Sequence, residues 1–313
     1  MIDYTRQILE STRYVAQHAD HVHIAHKKIP ALCAKLPLDK STTSWLQETP
    51  FPIAELDDKD KTHLMLAFNS LSFSYWGDPY WEVTYKGTTY QRGSWSLLAS
   101  LFRAKDEGFD ILNPCVQANI TRSDLEHILR GNREIPLLDK RVAIIRQVGG
   151  LVKKYYDNDF RNMIANARGD ALHLLSFVIE QLPLFEDTAQ YKGNAVSFYK
   201  RAQALVESVS SLQVQPLANV EKLTALADYI IPRKLREEGI LVYSDALARK
   251  IDNKVPLLAR GVYDVELRGC TITVIDEARK YLSMSPQQVN DCLWLIGRTS
   301  VTSEYQRVRT TDY

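Results

Sequence analysis

The sequence predicts a mainly α-helical protein with one small β-hairpin, and three observations carry that prediction. Apolar residues recur at helical spacing along most of the chain, strict polar–apolar alternation is confined to one short stretch, and no Pro/Gly/Ser-rich linker or internal repeat of roughly 20–50 residues divides it. A length of 313 residues then suits a single domain over residues 1–313, with two helical lobes flanking one cleft.

In chain order, "YWEVTYKGTTYQRG" (80–93) is the alternating stretch: Trp81, Val83 and Tyr85 alternate with polar residues before Lys86-Gly87, which predicts the hairpin. "SWSLLASLFRAKDEG" (94–108) places Trp95, Leu98 and Phe102 on one helical face and ends at Gly108, suited to a left-handed cap. "TRSDLEHILRG" (121–131) starts at Thr121 as N-cap, has Asp124 three residues on, and stops at Gly131. Helical periodicity continues over 137–156, 160–181, 196–212, 219–227, 233–238, 245–252, 262–282 and 286–297.

Composition narrows the function classes. Hydrophobic residues make up 45% and charged residues 25%, as in a soluble globular enzyme. Lys plus Arg is 39 against 38 for Asp plus Glu, so no global field draws the chain to a polyanion or an anionic membrane. A small anionic ligand held by a few local cations fits that balance. Cys33, Cys115, Cys270 and Cys292 form no CxxC pair, which predicts reduced thiols rather than a zinc ribbon. "MIDYTRQILESTRYV" lacks the apolar core of a secretory signal, and no run of about eighteen apolar residues occurs, so a cytoplasmic protein is expected.

Four constellations invite chemistry. "HADHVHIAH" crowds His18, His21, His23 and His26 together, but its spacing matches neither HExxH nor a Cys/His finger; helix and turn histidines facing solvent are expected, with no metal and no cofactor. "FNSLSFSYWGDPYWEVTY" sets Phe68, Phe73, Tyr75, Trp76, Tyr80, Trp81 and Tyr85 around Asp78; rings stack on a heteroaromatic base while a carboxylate accepts from its edge, although most of these rings belong in the core. "SFYKRAQALVESV" begins a helix with Lys200 and Arg201 beside Tyr199 above a buried stripe of Ala202, Leu205, Val206 and Val209. These cations form either a solvated basic end or, with Arg233, a phosphate clamp.

The fourth is "LTALADYIIPRKLREEGI" (223–240). Pro232 disfavours helix at Ile231 and suits the first position of a new helix, so the chain turns just after Asp228-Tyr229. Asp228 lies too early to cap a helix that starts at Pro232; it is either an exposed carboxylate at a joint or the partner of Arg233 or Lys234. The N–H groups of the new helix are free to favour an anion.

Taken together, "LSFSYWGD" (71–78), "GSWSLLASLFRAKDEG" (93–108), "REIPLLDKRVAIIRQVGG" (133–150), "FYKRAQALV" (198–206), "LTALADYIIPRKLREEGILVYSDALARKID" (223–252), "DVELRGCTI" (264–272) and "NDCLWLIG" (290–297) resemble the queuosine salvage protein family. The resemblance runs in order over most of the chain. It implies an all-helical fold similar to helix-hairpin-helix DNA glycosylases, and hydrolysis of queuosine 5′-monophosphate to free queuine. It further implies Asp228 as the catalytic carboxylate, beside Tyr229, and a base pocket from Phe73 to Trp76 with Asp78 and Trp95. Lys200, Arg201 and Arg233 would supply the cations; Asp291 and Trp294 also match. Where the family reads Asn-Phe-Cys-Phe-Trp-Pro-Asp, this chain has Ser72 through Asp78, with Ser72 in place of the amide.

A ribosyl N–C bond breaks through a sugar cation that a fixed carboxylate stabilises, and phosphate recognition anchors the substrate away from that bond. The small-molecule nucleotide is then the partner, with no stable nucleic-acid or membrane partner. The alternatives are a base-excision glycosylase on nucleic acid, which the missing basic stripe disfavours, and a non-enzymatic nucleotide-binding helical protein in which Asp228 only pairs with Arg233.

Overall fold

The computed structural model describes residues 2–36, 45–91, 93–299 and 302–313. Among them the elements are α1 (Tyr4–His18), β1 (Val22–Ile24), α2 (Ile29–Cys33), α3 (Asp58–Leu71), β2 (Val83–Tyr85), β3 (Thr88–Tyr90), α4 (Ser94–Asp106), α5 (Pro114–Asn119), α6 (Arg122–Ile128) and α7 (Leu138–Tyr155). There follow α8 (Phe160–Asn166), α9 (Ala171–Gln181), β4 (Thr188–Tyr191), β5 (Asn194–Ser197), α10 (Lys200–Ser211), α11 (Ile230–Glu237), β6 (Leu241–Tyr243), α12 (Asp245–Asp252), α13 (Val262–Ala278) and α14 (Pro286–Thr299). The protein is mainly α, and most of its buried apolar side chains form one continuous cluster. No described helix is long and apolar enough to cross a membrane.

The expected hairpin is β2–β3, although Arg92 at the end of that stretch lies outside the described residues. Two more antiparallel pairs accompany it. β4 and β5 turn at Lys192-Gly193 with φ of 47° and 83°, repeating the Lys86-Gly87 turn at 46° and 77°; such left-handed pairs match the twist of a two-residue hairpin. β1 pairs with β6, more than two hundred residues away in the chain, where no local pattern announces a strand.

The helix starting after Thr121 carries the full capping box: the Thr121 side chain accepts from Asp124 N, and Asp124 returns the bond. Gly131 is not its left-handed stop. A Cβ there would lie 2.2 Å from the Glu82 carbonyl and 2.8 Å from Trp81 Nε1, so glycine serves close packing. The run 160–181 splits into α8 and α9, because Arg168 and Gly169 adopt left-handed backbone at φ of 54° and 72°. Residues 219–227 do not form a helix. A short 3-10 turn, Val220–Lys222, gives way to extended chain whose N–H groups reach side chains: Thr224 N donates to Gln203 Oε1 (2.8 Å) and Leu226 N to Asn290 Oδ1 (2.9 Å). Tertiary partners outcompete helical propensity there.

α3 packs against α7 and α10, α11 packs against α14, and α13 lies against α1. One end of this arrangement is closed by the C-terminal residues 304–313, most of them buried. Val308 forms a bridge to Leu257, Ser74 N donates to the Tyr313 carbonyl (2.9 Å), and Tyr313 Oη donates to Asp264 (2.6 Å).

Candidate active site

A cleft of about 790 Å³, open mouth included, runs between α3, α10, α14 and the extended segment before α11. Its chemistry starts with α10. Lys200, Ala204, Glu207 and Ser208 fall at i, i+4, i+7 and i+8, one helical face, and all line the cleft. Asp187 fixes where that helix begins: its carbonyl accepts from Phe198 N (2.9 Å) and its Oδ2 from Lys200 N (3.0 Å). Tyr199 between them is left-handed at φ 49°. Asp187 is in turn gripped by Arg268 through bonds of 2.7 and 2.6 Å, in a pair that is 1% and 3% exposed.

The same arginine steadies the opposite wall. Arg268 Nε reaches the carbonyl of Ala227 (3.4 Å), and Gln306 Nε2 donates to the carbonyl of Asp228 (3.1 Å). α11 starts at Ile230, two residues earlier than the sequence suggests, with Pro232 still inside the first turn, where a missing N–H costs no helical bond. Asp228 is therefore close enough to cap it: Oδ1 accepts from Ile230 N (2.7 Å) and Ile231 N (3.3 Å). This corrects two expectations, since the carboxylate does serve the helix end and occupies N–H groups that an anion was expected to use. The salt bridge to Arg233 or Lys234 is not formed: Lys234 pairs with Glu238 (2.7 Å), and Arg233 donates to the Gly297 carbonyl.

Burial pushes the Asp228 carboxyl above its ordinary value, against the pull of the Lys200 charge and the two backbone donors. Burial likewise lowers the Lys200 ammonium, which the Asp228 charge supports. From α14, Asn290, Asp291 and Trp294 face the same space. Asp291 is pushed up to about 7 by burial, and burial together with the Asp291 charge drives Glu207 well above the carboxylate range. Aromatic rings complete the lining: Trp45, Phe68, Tyr75, Tyr229, Trp294 and Tyr313. Gly93, at φ 80°, lets Tyr75 approach the start of α4, where a Cβ would lie 2.3 Å from its ring.

Of the residues singled out from sequence, Asp228, Tyr229, Lys200, Asp291 and Trp294 meet in the cleft, as do Phe68, Ser72 and Tyr75. Phe73, Trp76, Asp78, Trp95, Arg201 and Arg233 are placed elsewhere. Phe73 is fully buried, its ring under the guanidinium groups of Arg141 (4.1 Å) and Arg201 (5.3 Å). Trp76 donates from Nε1 to the Val308 carbonyl (2.9 Å) and carries Arg309 on its face (3.7 Å). Asp78 is 68% exposed and pairs with Arg307. Trp95 stacks under Arg298 (4.0 Å), which also covers Trp294 (4.6 Å), so it stands behind the lining rather than in it. Arg201 is buried, donating to the carbonyls of Ser70 (3.2 Å) and Leu184 and lying over Phe185 (4.4 Å). With Arg233 also committed to a carbonyl, the three-cation clamp is not assembled; Lys200 alone of the three reaches the cleft.

Sequence reasoning missed Glu207, Asn69, Asn290 and Ser208. Glu207 was legible: an acid seven residues after Lys200 shares its face. Asn69 was not, because α3 is uniformly buried from Thr62 to Leu71 and shows little helical contrast. The crowded histidines disperse to separate partners, His18 to the Tyr14 carbonyl, His21 to Ser244 and His26 to Glu277. Among the described residues no group of three or more His, Cys, Asp and Glu side chains is placed to hold a metal ion.

A family model described as queuosine salvage protein matches residues 54–309. The queuosine 5′-phosphate N-glycosylase/hydrolase of Sphaerobacter thermophilus is 32% identical, over 98% of this chain and 97% of its own. The Bos taurus protein of the same name is 31% identical over 87% and 84% of the two chains, and that of Schizosaccharomyces pombe 27% identical over 66% and 65%. Matched by the model over residues 54–309 and aligned with the bacterial relative over nearly its full length, the chain belongs to the queuosine salvage protein family.

Proposed function

We propose that this protein hydrolyses the N-glycosidic bond of queuosine 5′-monophosphate and releases queuine for reuse in tRNA modification. The observation that carries the reading is the Asp228 carboxylate, pinned through Oδ1 by two backbone N–H groups at a ring-lined cleft. A deazapurine base stacks between aromatic faces, with Asn69, Asn290 and Asp291 within the same lining to meet its polar edge. Lys200 supplies the cation for the anionic part of the nucleotide. Asp228 faces the anomeric carbon, stabilises the positive charge that grows on the sugar as the bond to the base lengthens, and takes the proton of the attacking water. Its raised pKa suits that second task, because a base of higher pKa accepts the proton more readily.

On this reading residues 1–313 act as one domain with two helical lobes flanking the cleft, of the kind found in helix-hairpin-helix glycosylases, and the protein works in the cytoplasm on a small nucleotide without a stable nucleic-acid partner. The test is direct. Purified protein incubated with queuosine 5′-monophosphate should release queuine and ribose 5-phosphate; folded wild type that leaves the nucleotide intact would contradict the assignment.

A further inference from the structure

Hydrolysis leaves one proton unaccounted for. When the N–C bond breaks heterolytically its electron pair stays on the base, and a deazapurine has carbon at the position where a purine nitrogen would take up a proton to ease departure. The group that supplies the proton must therefore stand on the base side of the cleft, away from Asp228. Resting on the reading above, we propose that Glu207, sharing a proton with Asp291, is the general acid that protonates the departing base.

The geometry points there from several directions. Glu207 on α10 and Asp291 on α14 come from different elements, both line the cleft, and their side chains lie within hydrogen-bonding reach of each other. They are 6% and 8% exposed, so each carboxyl has almost no water to satisfy it. Two carboxylates cannot both ionise at such separation without strong repulsion, so the pair keeps one proton between them. The charged groups around Glu207 are Asp291 opposite and Lys200 on its own helix, with Asp228 across the cleft. The helix α3 contributes neutral Phe68 and Asn69, and the tyrosines of the lining, Tyr75, Tyr229 and Tyr313, are held neutral by burial. Burial raises both carboxyls, but the Asn290 side chain and a main-chain donor from Trp45 favour the charged form of Asp291, so the shared proton belongs on Glu207, which is raised further.

The step balances. The proton of Glu207 passes to the base as the bond to the sugar breaks; water adds its oxygen to the anomeric carbon and gives one proton to Asp228. One proton then leaves Asp228 and one returns to the pair from solvent, so the cycle consumes water alone. Asp228 and Glu207 thus take opposite roles, base and acid, from opposite walls of one cleft.

The experiment is a pH–rate profile on queuosine 5′-monophosphate for wild type, Glu207→Gln and Asp291→Asn. Wild type should lose kcat on the alkaline side, tenfold per pH unit, once the pair gives up its last proton. Glu207→Gln should bind substrate with KM within about threefold of wild type, lose on the order of a hundredfold or more in kcat, and lack the alkaline limb. Asp291→Asn keeps the acid but removes a like charge beside it, so its alkaline limb should move to lower pH. A wild-type profile flat through pH 9, or Glu207→Gln with kcat near wild type, overturns the proposal even if a variant folds poorly, since the first result needs no variant. Base release by wild type with unaffected Glu207→Gln sinks this inference alone, whereas no release by wild type sinks the reading beneath it.

Discussion

Two buried polar regions of this molecule use the same residue types to opposite ends. In the segment 70–78 every cation is spent on the frame: Arg141 donates to the carbonyls of Leu71, Phe73 and Pro136 (3.0 Å for the last), and Arg201 to those of Ser70 and Leu184. Ser74 exchanges bonds with Thr310, and Trp76 is fastened to Val308. In the cleft, Glu207 and Asp291 are buried and Lys200 and Asp228 half-buried, yet all four face shared open space and one another. Lys200 and Arg201 are sequence neighbours, turned about 100° apart by the helix, and that rotation alone separates a frame residue from a site residue. Buried charge with a complete set of internal acceptors holds the fold, and buried charge turned toward a cavity awaits a ligand.

The comparison can be broken from either side. The largest effect is expected where frame and site share a residue: Arg268→Met leaves Asp187 as an unpaired buried charge and should cost about 3–5 kcal/mol in urea unfolding, because the pair is almost wholly buried and anchors both α10 and the chain before Asp228. An intact Tm would mean that this ion pair supports neither wall. Next, Asp228→Asn should bind the nucleotide but turn it over on the order of a hundredfold more slowly; it can still accept from Ile230 N, so stability should change little. Lys200→Met should raise KM for the nucleotide by about tenfold, and its preference for nucleotide over nucleoside should shrink. The same change removes a charge that lowers the Asp228 pKa, so the acid limb of kcat/KM, which lies above the ordinary aspartate value in wild type, should move further up. The smallest effect belongs to Asp78→Asn, an exposed partner of Arg307, worth less than about 1 kcal/mol. A large loss of turnover there would place the site at Asp78 after all and undo the division drawn above.

What was legible in the sequence follows the same line. Helices whose apolar stripes and caps are local, such as α4, α6 and α12, could be read directly, as could the Lys86-Gly87 turn. The identical Lys192-Gly193 signal was hidden because strand β5 runs straight into α10, and β1–β6 depends on pairing across the whole chain. Asp228 was conspicuous because a proline follows it, but the start of α11 depends on the very bonds that Asp228 makes, and those become visible only with the backbone traced. The aromatic segment misled for a physical reason: flat side chains suit a base pocket and an arginine-stacked core equally well, and only Tyr75 of Phe73–Trp76 faces the cleft. Glu207 lay in plain register with Lys200, and two opposite charges seven residues apart on one face of an otherwise largely buried helix are the signal that would have found it.

The central claim is that the polar face shared by α10, α14 and Asp228 cleaves a nucleotide. It is tested most directly by single-turnover assay of wild type and Asp228→Asn on queuosine 5′-monophosphate, with queuosine nucleoside alongside. The account predicts queuine release by wild type, faster from the nucleotide than from the nucleoside, and near-silence from an Asp228→Asn protein that still binds. Turnover by Asp228→Asn at the wild-type rate would contradict it.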